Sequence, residues 1–171
     1  MSAINAIFNA NVYINGNSQI GRASEVKLPE IEISQDEYKG LGLVGTIKVP
    51  SGVEALEGEI TWNSFFPDAF VQVYDPFSAV QLMVRADVQV FNAMGLAEEV
   101  SMVTTITATN SKNPLGTYKP KEKAEFSSTF QATEIRQTIG GRETLYFNAL
   151  KNEYRVNNID KLAKYRRNIG A

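Results

Sequence analysis

The chain has 171 residues, 43% of them hydrophobic, with 17 Lys or Arg against 19 Asp or Glu and a formal net charge of -2. That length suits one domain over residues 1–171, able to bury about 70% of the surface its unfolded form exposes. Cysteine and histidine are both absent, which excludes disulfides and thiolate chemistry and removes the commonest general base and transition-metal ligand.

Any catalysis would therefore run on carboxylates, lysine or tyrosine, and no cofactor is expected. The small net charge hides an asymmetry. Residues 1–150 carry 11 basic against 17 acidic side chains, whereas residues 151–171 carry 6 against 2. An acidic body with a basic end suits head-to-tail pairing of copies, while a concentrated nucleic-acid patch is missing. The N-terminal M-S-A-I-N-A-I-F-N has neither a basic n-region nor a long apolar core, so no secretory signal is expected. No run approaches the length of a membrane span.

In chain order, Asn11 to Asn15 reads as a short strand stopped by Asn15-Gly16, a strong hairpin signal, with a return through Ser18 to Leu28. Glu30 to Tyr38 alternates, with Ile31 and Ile33 opposite Glu30, Glu32 and Ser34. Residues 40–53 hold four glycines among exposed-looking apolar residues. The segment is too apolar for a solvent loop and too glycine-rich for a core element, so it is expected to meet another surface. Glu57 to Asn63 resumes strand character, with Ile60 and Trp62 facing inward. Ser64 to Tyr74 is the internal helix candidate, with Ser64 as cap, Pro67 in the first turn and aromatic residues plugging one end of a β core.

Gln81 to Phe91 alternates cleanly, placing Leu82, Val84, Ala86, Val88 and Val90 opposite Met83, Arg85, Asp87 and Gln89. After a turn near Gly95, Glu99 to Thr109 repeats the pattern, with Ser101, Thr105, Thr107 and Thr109 on the open face. Asn110 to Lys123 reads as a loop. Glu125 to Asn148 is a hairpin turned at Gly140-Gly141, where both residues tolerate positive φ. Asn158 to Asn168 has helical spacing at Ile159, Leu162 and Tyr165, an Asn or Asp cap and Gly170 as stop. The sum is a mainly β, antiparallel sandwich or barrel of about eight to ten strands with two short helices.

Gly40-Leu41-Gly42-Leu43-Val44-Gly45 matches a dinucleotide-binding fingerprint by letter. That motif requires a buried strand before it and a helix after it, and here polar residues precede and Thr46-Ile47-Lys48-Val49-Pro50 follows. Asp36, Glu37, Glu54, Glu57 and Glu59 have no metal-loop spacing and read as solvated strand and loop acids.

The runs L-P-E-I-E-I-S-Q-D-E-Y-K-G-L-G and V-P-S-G-V-E-A-L-E-G-E-I-T-W at residues 28–62, with I-G-G-R-E-T-L-Y-F and V-N-N-I-D-K-L-A-K-Y-R-R-N-I-G in 118–171, carry a resemblance. They resemble the major tail tube proteins of contractile phage tails and the related R-type bacteriocins. The matches cover about half the chain and are weakest over 63–115. The resemblance implies a tail tube fold, no enzymatic activity, and hexameric rings stacked into a hollow tube inside a contractile sheath. Expected partners are copies of itself, the tail sheath, tape measure, baseplate and tail terminator proteins, and double-stranded DNA that passes without specific binding. The place would be the virion tail, assembled in the host cytoplasm.

The family's inter-ring loop falls on residues 38–53, with Tyr38, Gly40, Leu41, Gly42, Leu43, Val44, Gly45, Val49 and Pro50 as stacking residues. Arg85, Asp87, Gln89, Ser101, Thr105 and Thr107 are the expected lumen residues. Lys161, Lys164, Arg166 and Arg167, in a short helix over 158–169, are expected to pair with acidic partners on a neighbour. A tube subunit of a DNA-free bacteriocin and a small monomeric ligand-binding barrel are the alternatives.

Overall fold

Antiparallel pairing organises the computed structural model, which describes residues 3–171; Met1 and Ser2, where the domain expected over 1–171 begins, lie outside the described residues. The elements are β1 (Ile4–Ile14), β2 (Asn17–Ser18), β3 (Ala23–Lys27), β4 (Ile33–Tyr38), β5 (Ile47–Val53), β6 (Leu56–Trp62), α1 (Pro67–Val73), β7 (Val80–Asn92) and β8 (Gly95–Lys112), then β9 (Phe126–Ile139), β10 (Arg142–Asn148), β11 (Glu153–Val156), β12 (Ile159–Asp160) and α2 (Ala163–Ile169). One sheet runs β12-β11-β10-β9-β8-β7-β1-β2, with β6 added to β9 and β3 to β6. β4 and β5 form a separate two-stranded sheet.

β9 joins the two layers. Its first half, Phe126 to Ala132, pairs with β6, and its second half, Glu134 to Ile139, pairs with β10, while β8 follows its other edge from Thr129 to Ile139. The β8 register shifts between Thr107↔Glu134 and Ala108↔Ala132, leaving Thr133 as an extra residue. Such a bulge bends the strand, and here it carries β6 and β3 over the long sheet. The inward phase changes with it, from Phe126, Ser128 and Phe130 to Ile135.

The core lies between these layers. Val12, Ile14, Leu82, Val84, Ile106 and Phe147 come from the long sheet, and Leu56, Ile60 and Trp62 from β6. α1 closes one end with Phe70, fully buried, whose ring lies 5.6 Å from Trp62 and 5.7 Å from Phe126. The buried Trp62 Nε1 donates to the Ser128 hydroxyl at 3.3 Å, so the indole enters the core without an orphaned donor. Gly58 is required by contact: a Cβ there would stand 2.4 Å from the Phe130 ring and 2.8 Å from the Lys27 carbonyl.

Several elements depart from the sequence reading. β1 begins at Ile4, and the return strand β2 is only two residues long, because β3 pairs with β6 across the core instead. The cap of α1 is Phe66 in extended backbone with no side-chain bond, so Ser64 lies outside the helix, while Pro67 takes its first turn. The stretch read as a helix from Asn158 begins as a hairpin. Asn157 and Asn158 take left-handed φ of 50° and 64°, turning β11 into β12, and the helix starts only at Ala163. Two asparagines in sequence satisfy a two-residue hairpin turn as well as a helix cap, and β11 had an edge left to pair. Gly170 caps α2 in the left-handed region.

Candidate functional site

The segment expected as a loop over 38–53 is an arm. β4 and β5 pair from Ile33↔Val53 at the root to Tyr38↔Ile47, and residues 39–46 form the tip. Leu41 and Val44 are fully exposed there, and Leu43, Tyr38 and Val49 are about half exposed. A Cβ at Gly40 would stand 3.4 Å from the Tyr38 ring and from Leu43. Gly42 turns with φ 84°, and a Cβ at Gly42 or Gly45 would meet nothing within 4 Å. Pro50 sits opposite Gln35 in the arm. At the root, the Ser34 hydroxyl donates to Glu54, and the Glu54 amide donates to the Glu32 carbonyl at 2.9 Å.

This geometry settles the motifs around the arm. The glycine fingerprint turns a hairpin and leads no strand into a helix. The five carboxylates do not converge: Asp36 and Glu37 ride on the arm, Glu54 holds its root, Glu57 accepts from the Gln131 amide at 2.6 Å, and Glu59 accepts from Ser127.

A second surface is the face of the long sheet opposite the core. Directly paired residues share a face, and one row crosses seven strands: Tyr13, Met83, Thr105, Arg136, Tyr146, Arg155 and Asp160. The next row is Gln81, Thr107, Glu134, Asn148 and Glu153. Arg85 with Val103, Asp87 with Ser101 and Gln89 with Glu99 continue the same face. All six residues expected to line a lumen therefore stand together. The rows named hold no lysine, and two of their three arginines, Arg136 and Arg155, are paired with acids while Arg85 is not. Glu143 accepts from Arg155 Nε at 3.0 Å and lies 3.4 Å from Arg136 Nε, while both guanidiniums lie over Tyr146, 3.9 and 4.9 Å from the ring centre. The Glu143 hydrogen bond raises the pKa of Arg155.

The sequence reading missed a third feature. β1, β7 and β8 run on past the core as a three-stranded ribbon. β9 first meets β8 at Met102 and β2 first meets β1 at Tyr13. Among the described residues, Ile4–Asn11 of β1 and Gly95–Val100 of β8 thus have no strand on their outer sides. Ile4, Ile7, Phe8, Met94 and Leu96 are more than half exposed on this ribbon. The apolar I-N-A-I-F at residues 4–8 was the available signal.

In the C-terminal segment, the Arg166 guanidinium donates to Asp160 at 2.5 Å and to the Asn152 carbonyl at 2.9 Å, clasping α2 to β12 and to the turn between β10 and β11. Arg166 is thereby engaged within its own subunit, whereas Lys161, Lys164 and Arg167 are exposed. The Arg166 hydrogen bond, then the Leu162 amide, hold the Asp160 carboxyl below its ordinary value of 3.8. A lowered folded value means the clasp is fully present above the unfolded value and is lost as pH falls through the folded one. A carbon-detected NMR titration should place the Asp160 midpoint below 3.8, and Arg166→Gln should return it upward; a wild-type midpoint at or above 3.8 would contradict the clasp.

Two bare strand edges, an apolar arm and a polar sheet face with paired charges define a structural subunit built to assemble. The chain belongs to the phage tail tube protein FII family, whose profile matches residues 4–170. The tail tube protein of Escherichia phage P2 is 26% identical over 161 residues, 94% of each chain. Two solved structures share the fold. One is the sheath/tube terminator of an extracellular contractile injection system, PVC, in its extended state, with TM-score 0.55, 13% identity, and 78% of this chain and 95% of that one covered. The other is the tube-terminating cap of the anti-feeding prophage, with TM-score 0.53, 17% identity, and 77% and 87% covered. The resemblance read from the sequence, and the β tail tube fold it implied, hold.

Proposed function

We propose that this single tail tube domain over 1–171 forms six-membered rings stacked into the inner tube of a contractile phage tail, a non-enzymatic conduit for DNA. The ribbon carries this reading. β1 and β8 are both antiparallel to β7, so they run the same way and expose unlike edges on opposite sides. An edge that pairs with a different edge on the next copy generates a ring when the rotation closes. Three strands from each of six copies would enclose a bore roughly 36 Å across at the backbone, for strands about 4.8 Å apart and tilted about 40°.

The wall chemistry agrees with passage of a duplex. Lysines would hold phosphates through counterion release. The polar face instead offers Arg85, Asp87, Gln89, Ser101, Thr105 and Thr107, beside arginines already held by Glu143. The arm over 38–53 reaches the adjacent ring, and the basic C-terminal residues meet acidic groups there. Sheath, tape measure, baseplate and terminator proteins are its partners in the virion tail, which assembles in the host cytoplasm. Electron microscopy of the purified full chain tests this: the expected result is six-fold tubes with the Thr105 face toward the bore. A lone monomer at concentrations where tubes should form, or a bore lined by the opposite face, would overturn it.

A further inference from the structure

An apolar groove of about 590 Å³ opens between the root of the arm and the C-terminal segment. Ile33, Pro50 and Val53 form one wall, Phe147 contributes to the lining, and Leu162 and Tyr165 form the other wall. Tyr165 is 50% exposed and Ile33 39%, so the groove is dry in character yet uncovered. Lys161, just before α2, also lines it, and Lys164 and Arg167 are exposed on α2.

We propose that this groove receives the arm tip of a second copy, with Leu41 and Val44 seated against Leu162 and Tyr165. The inference rests on the reading of the arm as a stacking element and names its receptor. The subunit's own tip cannot fill the groove: the arm is a paired ribbon from Ile33↔Val53 to Tyr38↔Ile47, which carries the tip roughly 20 Å from the root at about 3.4 Å per residue. Charge favours the same occupant. The incoming arm with its root, residues 30–54, carries Glu30, Glu32, Asp36, Glu37 and Glu54 against Lys48 and Lys39, the latter paired with Glu37. This net negative segment meets Lys161, Lys164 and Arg167, while Arg166 stays with Asp160. Opposite charges that meet at a rim fix orientation and register, and the two apolar tip residues supply the part that must leave water.

The cysteine-free chain makes the test direct. Full-length protein carrying Val44→Cys and Tyr165→Cys is assembled, oxidised and run without reductant. A disulfide needs the two Cβ atoms within about 4.5 Å, so seated tips should give a ladder of covalent multimers, and either single variant should not. Tubes seen by electron microscopy without a ladder would sink the groove assignment and leave stacking intact. A cross-link confined to the monomer band would mean that the arm folds back, which overturns the proposal. Failure of the unmodified chain to form any tube would remove the stacking reading itself and this inference with it. As a second measure, Leu41→Asp with Val44→Asp and, separately, Tyr165→Asp should each yield unstacked rings with unchanged circular dichroism. Preformed rings of the two kinds, once mixed, should pair into double rings and grow no further; continued growth into tubes would contradict the assignment.

Discussion

Replacing Trp62 with alanine should cost about 3–5 kcal/mol, the range for removing a large aromatic side chain from a packed core. Trp62 is fully buried, touches Phe70 and Phe66 at ring separations of 5.6 and 6.5 Å, and ties its nitrogen to Ser128. Truncation would open a cavity where β6, β9 and α1 meet, and would leave the Ser128 hydroxyl without its donor. Domains of this size have about 5–15 kcal/mol in hand, so much of the subunit's stability would go. Urea unfolding followed by circular dichroism is the measurement, since the variant removes the chain's single tryptophan. Trp62→Phe keeps most of the ring volume and should recover more than half of the loss. A Trp62→Ala cost under about 1 kcal/mol, typical of surface changes, would mean that the aromatic plug does not hold the layers together.

The second large effect is on assembly with folding spared. Ile7→Asp and Leu96→Asp each place a carboxylate on a bare margin of the ribbon, at positions 62% and 51% exposed in the free subunit. Monomer stability should move by no more than about 0.5 kcal/mol, because neither side chain is packed. In a closed ring the same carboxylate would be buried against the neighbour without a partner, a penalty of about 3 kcal/mol per joint. Each joint would then weaken about a hundredfold, and with six joints to a ring the tubes should vanish. Analytical ultracentrifugation would read a folded monomer from both variants. Tubes persisting at wild-type concentration would place ring closure somewhere other than these margins.

Much of the β content could be read from alternation alone. β7, β8 and the Gly140-Gly141 hairpin stand as the pattern places them, because their polar and apolar faces alternate and the turn chemistry agrees. The six lumen candidates share one face for the same reason. Tertiary choices were not legible. Ala23 to Lys27 could have completed a hairpin with β1, yet its pairing with β6 covers the core, a decision made by residues 32 to 39 positions away. The Thr133 bulge left no mark in a polar, β-branched stretch where any residue could have been the extra one. Asn157-Asn158 offered two local meanings, and the open edge of β11 chose between them. The arm was recognised as something that must meet a surface, but its receptor joins Ile33, Phe147 and Tyr165, which no local pattern brings together.

The arm and its groove are carried at different places on every subunit, and this bears on length. In the proposed stack, one terminal ring would always present naked tips and the other vacant sockets, so each added ring recreates the surface it has just consumed. Nothing in a subunit counts its predecessors. Tube length must therefore be dictated from outside, by a ruler or a stopper that recognises one kind of end, and the two extremities would call for chemically different caps.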